Sequence, residues 1–249
     1  MRVAVLADIH ANLHALEAVL GEGAVQDSDR VVVLGDLVGY AARPGAVIDR
    51  VRDHADTVVF GNHDLAVLST KPMSARASAR SVAKWTREVL SQEDLSYLSA
   101  LPACATDASG LLCAHGCYLN DDHYYGYVTS TMAPANLCAV RDREGPERVA
   151  LCGHTHQTML ATLVGDRVDE ARCGSTPMRW ERRCDAVLIN PGSVGQPRDG
   201  DPRAAYAVVD TEARSVSFLR VAYDVGATAR EIREAGLPEE NARRLEEGR

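Results

Sequence analysis

Carboxylates, one amide and several imidazoles recur along this chain in short bursts: Asp8-Ile9-His10, Gly35-Asp36, Gly61-Asn62-His63-Asp64, Ala114-His115-Gly116 and Gly153-His154-Thr155-His156. Five of the eight His residues fall in them. Asp8, His10, Asp36, Asn62, His115, His154 and His156 offer the hard oxygens and imidazole nitrogens that divalent metals take. His63 is a further functional candidate. Such a set at the ends of buried strands points to metal-assisted hydrolysis of a phosphoester.

Within Asp-x-His, one side chain supplies a hard oxygen and the other an imidazole nitrogen, and a turn between strand and helix can bring both to one metal. Asp36 is suited to bridging, because a carboxylate can give one oxygen to each of two ions. Asn62 adds a neutral carbonyl oxygen. Mixed nitrogen and oxygen shells favour Mn²⁺, Fe or Zn²⁺ over Ca²⁺. Two ions ~3.5–4 Å apart would hold a bridging hydroxide and the non-ester phosphate oxygens for an in-line displacement.

The elements that must position these residues are readable from periodicity. Val3–Ala7, Arg30–Leu34 and Thr57–Phe60 are apolar runs that end in the first three bursts, the pattern of buried strands. Asn12 caps a helix carrying Leu13, Leu16 and Leu20, which Gly21 and Gly23 end. Pro44 opens a helix that turns Val47, Ile48 and Val51 inward. This alternation predicts an α/β fold with parallel strands and right-handed crossovers. Residues 74–100 read as helical, with Ser91–Asp94 as a helix start and Pro102 as a stop. A hairpin around Gly110 leads to His115, a helix covers Met132–Arg141, and the strand Arg148–Cys152 leads to His154. Short segments then follow at Thr158–Val164, Ala186–Ile189, Ala204–Val209 and Val216–Val221, which predict a second, more antiparallel sheet. Residues 226–249 are expected to form exposed helices, a C-terminal extension of a single domain spanning 1–249.

The motifs D-x-H, G-D, G-N-H-[DE], H and G-H-x-H, in that order, resemble those of the calcineurin-like metallophosphoesterase superfamily. The resemblance spans roughly residues 3–210. The segments Gly35–Tyr40 and Ile189–Arg198 resemble the small bacterial phosphodiesterase-like branch. It implies a four-layer α/β/β/α sandwich of two mixed β-sheets flanked by helices. Asp8, His10, Asp36 and His156 would hold one metal, and Asp36, Asn62, His115 and His154 the other, with Mn²⁺ favoured. His63 would protonate the leaving oxygen or stabilise transition-state charge, and Asp64 would orient it by hydrogen bonding.

Composition narrows the rest. At 249 residues and 46% hydrophobic content the chain can bury a full core. The net charge of −8, without a dense Lys/Arg run, does not indicate an extended nucleic-acid surface. No apolar stretch reaches the ~18 residues of a membrane span. The seven Cys include no Cys-x-x-Cys pair and read as free thiols of a cytoplasmic protein. A Cys173–Cys184 bridge is conceivable but not favoured. The expected partner is a small phosphorylated substrate, with no membrane; the oligomeric state stays open.

A lone loop His is more commonly a capping or solvated residue, and His14 and His54 are read that way. The stretch 117–128 follows His115, holds four of the eight Tyr, and departs from the Ser-Pro-like continuation of similar sequences. It is read either as packing or as a substrate wall in which His123 and Tyr124 touch a leaving group. Arg198 is a candidate phosphate contact because its fork matches phosphate oxygens. A phosphodiesterase is favoured over a phosphomonoesterase acting on a small metabolite. A non-catalytic scaffold and a nuclease are the other readings.

Overall fold

Alternation along one short strand sets the layers. In β1 (Arg2–Leu6), Val3 and Val5 face one apolar cluster while Ala4 and Leu6 face another. A strand buried on both faces reads as a continuous apolar run, as this one does. The computed structural model describes residues 1–69, 77–143, 145, 148–171 and 177–249.

After β1 come α1 (Leu13–Leu20), α2 (Gly23–Gln26), β2 (Arg30–Val33), α3 (Pro44–His54), β3 (Thr57–Val58) and α4 (Asn62–Leu68). Next are α5 (Ala77–Val89), α6 (Gln92–Ala100), β4 (Cys104–Thr106), β5 (Leu112–Ala114), α7 (Ala133–Arg141) and β6 (Val149–Leu151). The chain closes with β7 (Thr158–Val164), β8 (Arg167–Ala171), β9 (Met178–Arg179), β10 (Ala186–Pro191), β11 (Ala204–Asp210), β12 (Ser215–Val221), α8 (Val225–Glu234) and α9 (Glu239–Glu247).

The strands form two six-stranded mixed sheets, in the orders β3-β2-β1-β11-β12-β9 and β4-β5-β6-β10-β7-β8. Val5, Val32 and Val209 of the first sheet meet Cys113, Leu151 and Ile189 of the second in the core between them. The first sheet's outer face takes Leu16 and Val19 of α1, Val47, Ile48 and Val51 of α3 and Leu98 of α6. The second sheet's outer face takes Leu137 and Val140 of α7. The result is the expected four-layer α/β/β/α sandwich of mixed sheets.

Several local expectations hold. Asn12 Oδ1 accepts the Ala15 N–H at the start of α1, Pro44 opens α3, and Ser91 with Asp94 forms a capping box on α6. His14 pairs with Glu231 of α8, and His54 Nδ1 meets the Arg50 carbonyl at the end of α3. The expected helical start at 74–76 and the Cys173 thiol lie outside the described residues. Among the described residues, Cys104, Cys113, Cys117, Cys138, Cys152 and Cys184 are free thiols.

Three expectations are corrected. The late strands do not make a sheet of their own. β7, β8 and β10 join the second sheet, whereas β11 inserts antiparallel beside β1 and brings β12 with it. Amphipathic alternation fixes which face of a strand is buried but not which strand lies alongside. Gly21 caps α1, but Gly23 opens α2. The C-terminal helices are not merely exposed: Ala229, Ile232, Ala242 and Leu245 bury an apolar stripe with Ala11, Ala41 and Val82. Their surface charges hide that stripe in the composition.

The loop after β10 locks the first burst in place. Val194 and Gly195 donate their N–H groups to the Ala7 and Asp8 carbonyls, and Ser193 Oγ donates to the same Asp8 carbonyl. A Cβ on Gly195 would collide with the backbone carbonyl of Ile9, and neither backbone can yield without breaking those bonds. Gly195→Ala is therefore expected to cost about 3 kcal/mol or more. A thermal melt should show a loss of roughly 6–12 °C for a chain of this size. Gly23→Ala, where a Cβ meets nothing within 4 Å, is the control, with a change under about 1 kcal/mol.

Candidate metal centre

Parallel pairing gathers the bursts at one end of the sandwich. β1, β2 and β3 run parallel, as do β5, β6 and β10. Their carboxyl ends carry Asp8, Asp36, Asn62, His115 and His154 in turn. The β1–β2 ladder continues past the strands through the Asp8 N–H on the Gly35 carbonyl and the His10 N–H on the Asp36 carbonyl.

The turn needed by Asp-x-His is present in the backbone. Asp8, His10, Asp36, His154 and His156 all adopt left-handed conformations, with φ of 53°, 51°, 50°, 65° and 59°. Non-glycine residues seldom do so, and such strain clusters at functional sites. Here it turns alternate side chains towards one point.

Two donor groups share Asp36. In the first, Asp8 Oδ1 lies 3.2 Å from His156 Nε2 and 3.9 Å from His10 Nε2, and Asp36 Oδ2 lies 3.7 Å from His10 Nε2. In the second, His115 Nε2 lies 3.4 Å from Asp36 Oδ2, 3.2 Å from Asn62 Oδ1 and 3.1 Å from His154 Nδ1. Metal bonds of about 2.0–2.2 Å place neighbouring ligand atoms roughly 3.0–3.5 Å apart. Most of these contacts fall in or near that range.

The two oxygens of Asp36 are used differently. Oδ1 accepts the His63 N–H at 2.8 Å. Oδ2 is buried, makes no hydrogen bond and faces His115 Nε2 and His10 Nε2 at 3.4 and 3.7 Å, a position between the groups that a shared cation would fill. Asp36 therefore fits a bridging position. A Cβ on Gly61 would strike Asp36 Oδ1, which explains a glycine immediately before Asn62.

Backbone carbonyls orient three imidazoles. His10 Nδ1 meets Val38 O at 3.1 Å, His115 Nδ1 meets Leu34 O at 2.7 Å, and His156 Nδ1 meets Gln196 O at 2.5 Å. Donation from Nδ1 leaves Nε2 as the lone-pair atom facing the centre. His154 is reversed and presents Nδ1. Burial, with His115 next, pushes His154 down to about 3. Burial also opposes a charge on His115, but Asp36 and Asp8 overcome it and lift the imidazole to about 9. A proton on His115 thus offsets part of the two carboxylate charges in the protein without metal. A metal ion would displace that proton.

His63 sits at the edge of both groups and is half-buried. Its ring centroid is 4.8 Å from that of His10 and 4.6 Å from that of Tyr40, and it packs over Gly39, where a Cβ would lie 2.5 Å from its Nδ1. Burial lowers its proton affinity, with Asp36 opposing. Asp64 is placed differently from the sequence expectation. Its oxygens accept the Val38 and Gly61 N–H groups, so its described bonds brace the backbone at the start of α4, not the His63 ring. A carboxylate at the third helical position closes a capping box with Oδ2 on the Gly61 N–H, while Oδ1 is taken by the Val38 N–H of the loop after β2.

The substrate candidates separate. Arg198 reaches the rim, where its guanidinium donates to Tyr40 Oη at 3.2 Å and to Gln196 Oε1 at 2.9 Å. His123 turns its Nδ1 to the Cys117 carbonyl at 2.9 Å and braces its own loop. Tyr124 packs on Phe60 with centroids 5.0 Å apart. Two other rings lie nearer the centre. Tyr40, with φ of 58°, has its centroid 4.5 Å from that of His10. Tyr127 stacks on His154 at 4.0 Å and 12°. The tyrosine-rich stretch signalled an aromatic wall. It did not reveal that the loop folds back, with Gly116 N–H on the His123 carbonyl, and delivers Tyr127 instead of Tyr124.

Comparison with known proteins agrees with this geometry. The profile of the Calcineurin-like phosphoesterase superfamily domain matches residues 1–214. The uncharacterized protein MJ0912 of Methanocaldococcus jannaschii is 30% identical over 99% of this chain and 98% of its own. The phosphodiesterase YfcE of Escherichia coli is 25% identical over 88% of this chain and 92% of its own. Among solved structures, a metallophosphoesterase from Sphaerobacter thermophilus superposes with a TM-score of 0.85 at 35% identity, covering 100% of this chain and 99% of that one.

Proposed function

This chain belongs to the calcineurin-like phosphoesterase superfamily, and from that premise we propose a dinuclear metal-dependent phosphodiesterase. The observation that carries the reading is the buried Asp36 Oδ2, which makes no hydrogen bond and faces an imidazole of each of two donor groups. Asp8, His10, Asp36 and His156 would hold one ion, and Asp36, Asn62, His115 and His154 the other, with Mn²⁺ as the expected ion and Fe and Zn²⁺ suited to the same mixed donor set. When bound, the ions supply positive charge for the phosphate oxygens and activate water as nucleophile.

The chain's own residues do the remainder. His63 carries a proton for the leaving oxygen or stabilises charge in the transition state. Asp64 holds the first turn of α4 and so fixes where His63 stands. Arg198, steadied by Tyr40 and Gln196, offers a forked donor to a phosphate oxygen. An acidic chain with net charge −8 suits a small substrate better than a long nucleic acid. Among the described residues no helix is long and apolar enough to cross a membrane. The six Cys among the described residues are free thiols, which supports a cytoplasmic setting.

The test is reconstitution. Chelator-stripped protein should turn over neither bis-p-nitrophenyl phosphate nor p-nitrophenyl phosphate, and two equivalents of Mn²⁺ should restore activity with the diester preferred. Monoester preference would favour the phosphomonoesterase reading. Two bound ions with turnover of neither ester would leave a metal-holding scaffold.

A further inference from the structure

Tyr127 has no catalytic duty in the reading above, yet it lies flat against a metal-ligand candidate. Its ring is parallel to His154 within 12° at 4.0 Å, and the residue is 52% exposed. One face is thus covered by an imidazole and much of the ring is left to solvent. The loop that carries it is tightly held. Gly116 donates to the His123 carbonyl, Thr129 donates to the Tyr127 carbonyl, and a Cβ on Gly126 would meet Cys117 Sγ at 2.7 Å. Tyr125, 41% exposed, and Tyr124 on Phe60 continue the aromatic surface back to the residues beside Asn62. A rigid ring with a free face at the mouth of a phosphate site is a stacking platform.

We infer that Tyr127 is the floor of a nucleobase subsite, so that the phosphoester taken by this centre carries a nucleoside. The inference rests on the phosphoesterase reading of the metal centre. A phosphate held between the ligand groups and Arg198 leaves the sugar to span the gap to Tyr127, and the base lies on its open face. An open aliphatic wall would accept lipid or sugar esters equally. A parallel aromatic platform favours a flat ring, without demanding one particular base, because every base has a π-face.

The probes are adenosine 5′-monophosphate and ribose 5-phosphate, which differ at the anomeric carbon, where one carries the base and the other a hydroxyl. Both are titrated calorimetrically into Mn²⁺-loaded protein carrying His63→Ala, which suppresses turnover. The expected result is about tenfold tighter binding of the nucleotide, equivalent to about 1.4 kcal/mol. Adding Tyr127→Ala should bring the ratio near one, and adding Tyr127→Phe should keep it. Metal content is measured for each variant. If Tyr127→Ala loses metal, Tyr127→Leu retains apolar cover on His154 and takes its place. Equal affinity for the two probes in the parent, or a preference that survives loss of the ring, overturns the inference. Turnover is not the readout, so failure of the diesterase reading is visible separately on the nitrophenyl esters.

Discussion

Replacing His63 by Ala should lower kcat by about 10²–10⁴-fold, the usual contribution of a positioned proton donor, while both metal ions stay bound. The separation is physical. The His63 backbone N–H holds Asp36 Oδ1, and any residue except proline supplies that N–H. The ring does something else: it stands against His10 and Tyr40, half-buried at the opening. Truncation removes the acid and leaves the ligand groups intact. Metal content by elemental analysis and kcat on a nitrophenyl diester read the two effects separately. One contrary result is specific. His63 also lies within ligand distance of His10 and Asp36, their donor atoms all within 4.8 Å of one another. If the variant loses an ion, His63 is a ligand and not the proton donor.

Asp36→Asn should weaken binding of both ions by at least about 100-fold, above the range for residues that only support a ligand, and abolish turnover with it. The substitution nearly conserves shape. The amide oxygen can still accept the His63 N–H, so α4 keeps its start. The other atom becomes an NH₂ group, neutral and a donor, facing His115 Nε2 and His10 Nε2 at the positions that now lie 3.4 and 3.7 Å from Oδ2. A shared anionic ligand is thereby lost to both groups at once. Calorimetric titration of Mn²⁺ into stripped protein checks this. Retention of one ion at full affinity would show that Asp36 serves a single metal, and the dinuclear reading would fail.

Legibility of the site from sequence followed locality. Asp8, Asp36 and His115 each end a buried apolar strand, and parallel strands present their carboxyl ends on one side. The ordered bursts therefore marked the candidate donors that the fold gathers at one end. The left-handed turns at Asp8 and His10 were only inferable as a need. The expected bond from Asp64 to His63 is not made, because one Asp64 oxygen closes a local capping box on Gly61 and the other accepts the Val38 N–H, a contact between segments distant in the chain. Among the late strands, the apolar pattern marked β11 correctly as a strand, but its place beside β1 depends on pairing between Val3 and Val209, far apart in the chain.

Arg198 and Tyr127 show the same division at the substrate side. Arg198 comes near the centre because the loop after β10 hydrogen-bonds back to Ala7 and Asp8. Tyr127 reaches His154 because its loop doubles back on Gly116. The sequence by itself determined the candidate metal donors, the reaction they suit and the strands that carry them, since residue type and short-range periodicity set those. Only the tertiary structure decided which strands pair, which oxygen of Asp36 is left without a hydrogen bond, and which ring stacks on His154. Those outcomes depend on backbone contacts between segments up to some two hundred residues apart, which no local pattern encodes.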